Sequence, residues 1–270
     1  MRWHCHELFN RMPPGAVAGG IAVVIDVLRA STTIVTALAN AASRIRPVPA
    51  VAEALALAEA SGAARPLLGG ERGGIRIAGF DLGNSPLEYS PAAVAGREII
   101  VTTTNGTAAL EACRAADEVL VGAIVNRTAV ARLARELARR RGVADVHLVC
   151  AGTDGHVTEE DLLAAGAILE AVARLPGAAD DVVDPAAAAA RADFRRVVGR
   201  AAAPQEAIAA AFAASRGGAN LLSLGMDADL PAAAAIDTLS IVPRLDRATG
   251  WLVADRTTGL PAQLPAEHPH

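Results

Sequence analysis

The chain has 270 residues, of which 52% are hydrophobic, 20% charged and 3% aromatic, and its formal net charge is −4. This length and apolar content suffice for one large α/β domain or two modest ones. The acidic balance and the few aromatic residues argue against a basic, stacking surface for nucleic acid, and no apolar run approaches the ~20 residues of a membrane span.

The N-terminal segment lacks the apolar stretch of a signal peptide, so export is not indicated. His4, Cys5 and His6 could form a metal clip, but on so short a span an N-terminal strand or a disordered start is the favoured interpretation. The cysteines, which include Cys113 and Cys150, lie far apart and in no metal-binding spacing. This usage suits a reducing cytosol without disulfides, and we expect a cytoplasmic protein.

The first clear element is an apolar run, Ile21 to Ile25, which predicts a strand buried on both faces of a parallel sheet. Asp26 and Arg29 follow, and the triplet Ser31–Thr33 opens an Ala-rich helix predicted over Ile34 to Ala42. Ligands collect at the carboxyl ends of such strands, where helix N-termini offer unpaired N–H groups. We therefore interpret Asp26 and Arg29 as part of a site. For the serine of the triplet alone, an ordinary N-cap is the preferred interpretation.

A second strand is predicted over Arg44 to Val48, a helix over Ala50 to Ala60, and a third strand over Pro66 to Gly70. Glu71 and Arg72 follow the third strand, so a carboxylate and a guanidinium again stand at a strand end.

The connection from Gly73 to Pro91 contains four glycines and two prolines, which predicts a long loop. Loops of this length in compact domains are often functional, although a tolerated surface insertion is the alternative. We expect four apolar residues to anchor the loop to the body of the protein: Phe80, Leu82, Leu87 and Tyr89.

A strand over Arg97 to Thr102 leads through Thr103–Thr107 into a helix predicted over Ala108 to Ala115. Backbone N–H groups and hydroxyls at such a helix start could cradle a phosphate or a sulfonate. The alternative is that a Thr-rich strand end reflects β-propensity alone, and the sequence weighs the two equally.

Further along, strands are predicted over Glu118 to Gly122 and Val146 to Cys150, with an amphipathic helix over Thr128 to Arg141 between them. The segment Ala151 to Asp161 then leads into a helix of roughly four turns. Its acidic residues allow two interpretations. Thr158 with Asp161 fits a weak capping box and Glu159 favours the helix dipole, whereas Glu160 and Asp161 are candidate metal ligands.

The last third is Ala-rich and mainly helical from Ala178 to Ala214, with breaks at Pro185 and Pro204. Short helices over Ser215 to Leu224 and Met226 to Ala235 and a late strand over Thr238 to Val242 follow. Together these elements predict an α/β fold, a layered α/β/α arrangement with a mostly parallel or mixed sheet. We expect one catalytic unit over residues 1–255 and a loose tail over 256–270. A break into two closely packed subdomains near 175–185 stays open, as does homo-oligomer formation.

Four predicted strand ends thus carry polar groups, and they meet at one edge if the strands are parallel neighbours. Oxygen-only acidic ligands suit Mg²⁺ better than zinc. All 25 basic residues are Arg, which suits planar anions and excludes Schiff-base chemistry and a P-loop lysine, although genomic composition also favours Arg. Arginines and helix starts beside acidic metal ligands indicate a Mg²⁺-dependent enzyme that acts on a small anionic phosphate ester.

Five segments carry a specific resemblance: DVLRASTTI (26–34), LGGER (68–72), GFDLGNSPLEY (79–89), TTTNGTAAL (102–110) and CAGTDGHVTEED (150–161). In this order they resemble the 2-phosphosulfolactate phosphatase family. The resemblance implies Mg²⁺-dependent hydrolysis of (R)-2-phospho-3-sulfolactate, a step towards coenzyme M or bacterial sulfolactate, and an α/β topology particular to the family. One departure is that Ser215-Arg-Gly-Gly218 stands where the family usually has a Ser-x-His-Gly-like stretch, which opens the question of substrate choice.

The residues and the resemblance together predict the following site. Catalytic roles go to Asp26, Arg29, Glu71 and Asp161, and metal ligation to Asp26, Glu71, Glu160 and Asp161. Substrate binding goes to Ser31, Thr32, Arg72, Asn84, Thr103, Thr104, Asn105, Gly106, Thr107 and Gly152. Leu28 stands where haloacid-dehalogenase phosphatases have their second Asp, so we favour Asp26 as a metal ligand over Asp26 as a nucleophile. The alternatives are a phosphatase for another phosphorylated hydroxy acid and a non-catalytic anion-binding protein.

Overall fold

In a computed structural model, which describes residues 1–199 and 201–255, helices and strands alternate around one mixed sheet. The strands are β1 (Arg2–His6), β2 (Ile21–Ile25), β3 (Arg44–Pro47), β4 (Leu67–Arg72), β5 (Ile75–Arg76), β6 (Glu98–Thr102), β7 (Glu118–Val121), β8 (Asp145–Cys150), β9 (Val182–Val183), β10 (Val242–Leu245) and β11 (Leu252–Asp255). The helices are α1 (Ala30–Ala39), α2 (Val51–Ala60), α3 (Pro91–Val94), α4 (Gly106–Ala112), α5 (Arg127–Arg141), α6 (Glu159–Ala173), α7 (Pro185–Val198), α8 (Pro204–Ala214), α9 (Arg216–Ser223) and α10 (Asp229–Ala233). The expectation of a layered α/β fold with a mixed sheet is confirmed.

The eleven strands lie in the order β5-β4-β6-β3-β11-β10-β7-β2-β8-β1-β9. Strand β2 is parallel to both of its neighbours, β7 and β8, and all five of its residues are buried. The apolar run from Ile21 to Ile25 is therefore the doubly covered parallel strand that its composition predicts.

The sheet contains two parallel sets of strands that run in opposite senses. Strands β4, β6 and β3 form one set, β7, β2, β8, β1 and β9 form the other, and the antiparallel pair β11–β10 joins them. β2 and β4 are thus not parallel neighbours, which was the condition under which the sequence placed their ends at one edge. Six neighbour steps separate them, and a typical twist of roughly 20–25° per step would rotate the strand direction by about 120–150°. Such a rotation would offset most of the reversal, and Asp26, which follows β2, and Glu71, near the end of β4, do line one cavity.

Small residues allow the helices to pack closely, which explains how a large core forms with so few aromatic side chains. Gly166 of α6 lies against α7, where an added Cβ would stand 2.1 Å from the carbonyl oxygen of Ala190. Ala164, Ala165 and Ala167 of the same helix are fully buried. The small Ala and Gly side chains therefore let neighbouring helices approach closely and pack at the density typical of protein interiors.

Two predicted helix caps are wrong. Helix α1 begins at Ala30, earlier than expected, so Arg29 takes the N-cap position and Ser31 lies inside the first turn. The hydroxyl of Ser31 accepts the N–H of Asp26 at 2.8 Å instead of capping the helix. Thr158 stands at the N-cap of α6 but makes no capping bond, and Asp161 is engaged with backbone groups outside the helix, so no capping box forms.

The C-terminal strand was predicted too early. Residues 238–241 form no strand, because Leu239 N donates to the carbonyl of Val125 at 2.9 Å and draws the chain onto the turn before α5. The strand begins at Val242 and pairs with β11, which the sequence did not indicate. Pro185 and Pro204 stand at the starts of α7 and α8, where their missing N–H costs nothing.

Other expectations concern single residues. Phe80 and Tyr89 are buried and anchor the loop, whereas Leu87 is 57% exposed, so that anchor was wrong. The N-terminal strand is confirmed as β1, and the three cysteines are buried and free. Within residues 1–199 and 201–255, no helix is long and apolar enough to cross a bilayer. The subdomain break near 175–185 stays a prediction, and the tail at 256–270 lies outside the described residues.

Candidate active site

Asp26 follows β2 directly and stands at the start of α1. Its Oδ1 accepts the N–H of Ala30 at 3.2 Å, and its side chain is 9% exposed. Gly106, the first residue of α4, packs against it so closely that an added Cβ would lie 2.7 Å from Oδ2. The starts of α1 and α4 therefore hold this carboxylate between them.

Glu71 stands near the end of β4 and is held by backbone groups on both oxygens. Oε1 accepts the N–H of Thr104 and Oε2 accepts the N–H of Gly74, each at 2.8 Å. The Thr104 hydroxyl adds a longer contact of 3.3 Å to Oε2. The carboxylate is 7% exposed, so its position is fixed before any ligand arrives.

Asp26 and Glu71 line the same cavity. Burial is the main cause that raises the pKa of Asp26 to about 7, and the negative charges of Glu71 and Glu160 add to it. The N–H of Ala30 and the Arg29 guanidinium act in the opposite direction. The cavity thus holds negative charge whose mutual repulsion a cation would relieve.

Arg29 lines this cavity as predicted, but its side chain is 3% exposed and bound within the protein. Nη1 donates to Asp229 Oδ2 at 2.8 Å, and Nη2 donates to the carbonyl of Gly74 at 2.7 Å. The Sδ atom of Met226 also lies 2.8 Å from Nη1. Arg29 is therefore a fixed cation in the cavity wall.

Glu160 and Asp161 lie behind the cavity and are 2% and 3% exposed. Asp161 accepts the N–H of Val27 on Oδ1 at 2.8 Å and of Gly152 on Oδ2 at 2.9 Å, so it ties the segments after β2 and β8 together. Burial, with the charges of Asp26 and Glu160, raises the pKa of Asp161 well above its usual range. Burial also raises the pKa of Glu160, whose Oε1 accepts the N–H of Gly217 and whose Oε2 is buried without a partner.

The threonines after β6 use most of their polar groups within the protein. Thr103 and Thr107 bond each other through backbone and hydroxyl groups, at 2.9–3.4 Å, and the N–H of Thr104 is given to Glu71. Thr104 and Asn105 line the cavity, whereas Thr103 and Thr107 do not. The segment therefore acts mainly by positioning the site carboxylates, and it does not offer a ring of free backbone N–H groups to a ligand.

Several predicted substrate-binding residues lie outside the cavity lining. Ser31 is bonded to Asp26 N, and the hydroxyl of Thr32 donates to the carbonyl of Val27 at 2.8 Å. Arg72 is bonded within the protein, where its Nη1 donates to the backbone carbonyl of Glu71 at 2.7 Å and its Nη2 to Thr102 Oγ1 at 2.9 Å. Their contribution to substrate binding, like that of Gly106 and Gly152, stays a prediction. The contacts just described stabilise the segments that carry the cavity lining.

The cavity encloses about 520 Å³ when the solvent at its mouth is counted. Its lining consists of Asp26, Leu28, Arg29, Glu71, Gly73, Gly74, Asn84, Thr104, Asn105, Thr153, Asp154, Gly217, Asn220 and Leu221. The sequence analysis missed Asp154, which has a positive φ of 52°, and Asn220 on α9. An Asp between Thr and Gly in a strand-to-helix connection was a signal that could have identified the first of these.

The residues present fit Mg²⁺. The acidic donors in the lining are carboxylate oxygens, and Glu160, whose Oε1 accepts the N–H of the lining residue Gly217, keeps its other oxygen buried without a partner. The described residues contain no cluster of three or more His, Cys, Asp or Glu side chains arranged to hold a metal ion. Mg²⁺ commonly binds through one or two carboxylates, with water and substrate phosphate as its other ligands. Asp26 and Glu71 supply that number.

A carboxylate-lined cavity at the strand ends of an α/β sheet is typical of metal-dependent phosphoryl-transfer enzymes. The family model of 2-phosphosulpholactate phosphatase matches residues 8–248, and the chain belongs to this family.

Relatives of the chain carry the same name. A Symbiobacterium thermophilum protein named probable 2-phosphosulfolactate phosphatase is 43% identical over 238 residues, 87% of this chain and 95% of the relative. A Deinococcus radiodurans protein of the same name is 44% identical over 226 residues, 83% of this chain and 87% of the relative. A third, from Gloeobacter violaceus, is 43% identical over 236 residues, 86% and 90% of the two chains.

Proposed function

We propose that this protein hydrolyses (R)-2-phospho-3-sulfolactate to 3-sulfolactate and phosphate, with Mg²⁺ as its cofactor. The family match over residues 8–248 supports the reaction class and the substrate. The observation that carries the proposal is that Asp26 and Arg29 of one resemblance segment and Glu71 of another line one cavity.

Asp26 and Glu71 would hold the ion, with Glu160 and Asp161 adding negative charge behind them. Bound Mg²⁺ supplies positive charge that neutralises phosphate oxygens as charge develops on them. Substrate, with phosphate, sulfonate and carboxylate groups, would otherwise meet the carboxylates of an acidic cavity. The need for a divalent cation therefore follows from the charges of the two partners.

The protein residues contribute positioning. Backbone N–H groups hold the Glu71 and Asp26 carboxylates, so neither has to reorganise when substrate binds. Arg29 presents a fixed positive charge to an anionic group of the substrate, and the amides of Asn84 and Asn105 offer neutral donors at the same wall. In the proposed reaction a water molecule attacks phosphorus and gives up a proton, the bond from phosphorus to the C2 oxygen breaks, and that oxygen takes up a proton in exchange, so the products are 3-sulfolactate and hydrogen phosphate.

A phosphatase for another phosphorylated hydroxy acid is the second candidate. Gly217, which stands where the family usually has a His, lines the cavity, and an added Cβ would lie 2.2 Å from Glu160 Oε1. A side chain at 217 would therefore collide with that carboxylate in its present position. The cavity wall of this chain thus differs at position 217 from the wall that the family usually has. This difference is the reason to test related substrates.

The test is phosphate release from (R)-2-phospho-3-sulfolactate and from a panel of phosphorylated hydroxy acids, including phospholactate and phosphoglycolate, with Mg²⁺ and with EDTA. We expect Mg²⁺-dependent release that is fastest with phosphosulfolactate. Fast release from another ester alone would show that this ester is the substrate. No release from any ester by a folded protein would refute the proposal that the protein is a phosphatase.

We further propose that the reaction takes place in the cytoplasm. The three cysteines, all buried and free, support a reducing compartment. The proposed partner is a small anionic ester, and no nucleic acid or membrane enters the proposed reaction.

A further inference from the structure

Asp229 lies far along the chain from the segments that suggested the site, yet its carboxylate reaches the cavity wall. It is the first residue of α10 and is 2% exposed. Oδ2 accepts a hydrogen bond from Arg29 Nη1 at 2.8 Å, and Oδ1 accepts one from the hydroxyl of Ser85 at 2.5 Å. One buried carboxylate therefore joins α10 to the start of α1 and to the loop after β5.

Arg29 extends this connection to Glu71. Its Nη2 donates to the carbonyl of Gly74, whose own N–H is given to Glu71 Oε2. The hydrogen bonds thus run from Asp229 through Arg29 and Gly74 to a predicted metal ligand.

The second oxygen of Asp229 binds the loop that carries Asn84. Ser85 follows Asn84, which lines the cavity and whose carbonyl accepts the hydroxyl of Thr33 at 2.7 Å. A substitution of Asp229 would therefore affect the positions of both the Arg29 guanidinium and the Asn84 amide.

A guanidinium carries five N–H donors. In the described part of the chain, the bonds of Arg29 use Nη1 and Nη2, and none is found from Nε. Asp229 and Gly74 thus anchor the two terminal nitrogens, and the three bonds leave two of the five donors for a ligand. Pre-ordering a long, flexible side chain in this way removes an entropy cost that binding would otherwise carry.

We infer that Asp229 is a positioning residue that holds the Arg29 guanidinium against the cavity so that a bound oxyanion meets a fixed cation. Only the identity of that oxyanion rests on the proposed function. The inference therefore concerns anion binding and can be tested without turnover.

The first test measures binding of inorganic phosphate by calorimetry in the presence of Mg²⁺. For Asp229→Asn we expect affinity to fall by roughly 10- to 100-fold, the scale of weakening one hydrogen bond to a charged group. Ser85→Ala removes one of the two bonds but keeps the charge pair, so it should reduce affinity less and still fold.

Asp181→Asn is a matched control. Asp181 is also a buried carboxylate paired with a buried arginine, Arg135, and it additionally accepts from Trp3 Nε1 at 3.0 Å. This pair lies outside the cavity lining. The control should lose stability and keep its affinity for phosphate.

The second test is chemical rescue. Arg29→Ala should lose phosphate affinity and regain part of it when millimolar guanidinium is added, because Asp229 and the Gly74 carbonyl can hold the free cation. Arg29→Ala combined with Asp229→Ala should not be rescued, whereas Arg29→Ala combined with Asp181→Asn should be.

Equal rescue of both double variants, or unchanged phosphate affinity in folded Asp229→Asn and Ser85→Ala, would overturn the inference. A wild-type protein that binds no phosphate would overturn it too. If the variants behave as expected but phosphosulfolactate is not hydrolysed by the wild type, the positioning role stands and the proposed function fails.

Discussion

Replacing Gly106 with Ala tests whether the packing of α1 against α4 sets the position of Asp26. An added Cβ would lie 2.6 Å from the Cβ of Ala30, 2.7 Å from Asp26 Oδ2 and 3.2 Å from Thr103 Oγ1. Contacts between carbon atoms are optimal at about 3.5–4.0 Å. Either the two helix starts separate by about 1 Å, or the carboxylate turns away.

Overpacking of this kind costs about 1–3 kcal/mol. The better helix propensity of Ala returns at most about 1 kcal/mol, so we expect a net loss of about 0–3 kcal/mol in the free energy of unfolding. A displacement of about 1 Å at a catalytic group can reduce the rate by roughly 100-fold. Gly106→Ala should therefore fold and still lose roughly 100-fold in kcat/KM.

The assay combines urea denaturation with steady-state phosphate release, and Gly122→Ala is the control. A Cβ at Gly122 would stand 2.7 Å from Val23 Cγ1 and 2.9 Å from Ile168 Cδ1, with no carboxylate among its close neighbours. Both variants should lose similar stability, and only Gly106→Ala should lose activity. A folded Gly106→Ala protein with the kcat/KM of the wild type would show that the packing of α1 against α4 does not set the position of Asp26.

Three further predictions concern separate parts of the structure. Glu71→Gln removes a charge and places an NH₂ group against a backbone N–H such as that of Thr104. Because charge stabilisation by a bound metal is worth several kcal/mol, Mg²⁺-dependent phosphate release in steady-state assays should fall by roughly 100-fold or more. Tyr89→Phe deletes the buried bond to the carbonyl of Gly83, of length 2.8 Å, and should cost about 1–2 kcal/mol in urea denaturation; an unchanged midpoint would contradict this. Burial is the main cause that lowers the pKa of His147 to about 4, so the unfolded chain binds a proton that the folded chain does not, and stability should fall by about 2–3 kcal/mol as the pH drops from about 6.5 towards 4. His147→Gln should flatten this pH dependence, and an equally steep curve in the variant would count against it.

The strands and the main site carboxylates could be predicted because each depends on local sequence. The run from Ile21 to Ile25 has one stable solution, a doubly covered strand, and Asp26 must then lie at its carboxyl end. Glu71 was located in the same way from the strand before it. Period-2 alternation could also have shown that Arg72 points to the opposite side from Glu71, which the sequence analysis did not use.

The rest depended on contacts between distant segments. Asp229 is one acid in an Ala-rich stretch, and only the fold brings it to Arg29, 200 residues away. Arg29 occupies the N-cap position of α1, and the hydroxyl of Ser31 accepts the N–H of Asp26 instead of capping the helix. The joining of two opposed parallel sets by β10 and β11 could not be foreseen, because β11 gave no clear strand signal and its partner was predicted too early.

The most direct test of the account is a Mg²⁺ titration of phosphate release from (R)-2-phospho-3-sulfolactate, with the wild type and Asp26→Asn in parallel. We expect saturable Mg²⁺ dependence in the wild type, complete loss of activity with EDTA, and little release by the folded variant at any Mg²⁺ concentration. Wild-type release that is unaffected by EDTA, or an Asp26→Asn protein as active as the wild type, would contradict it.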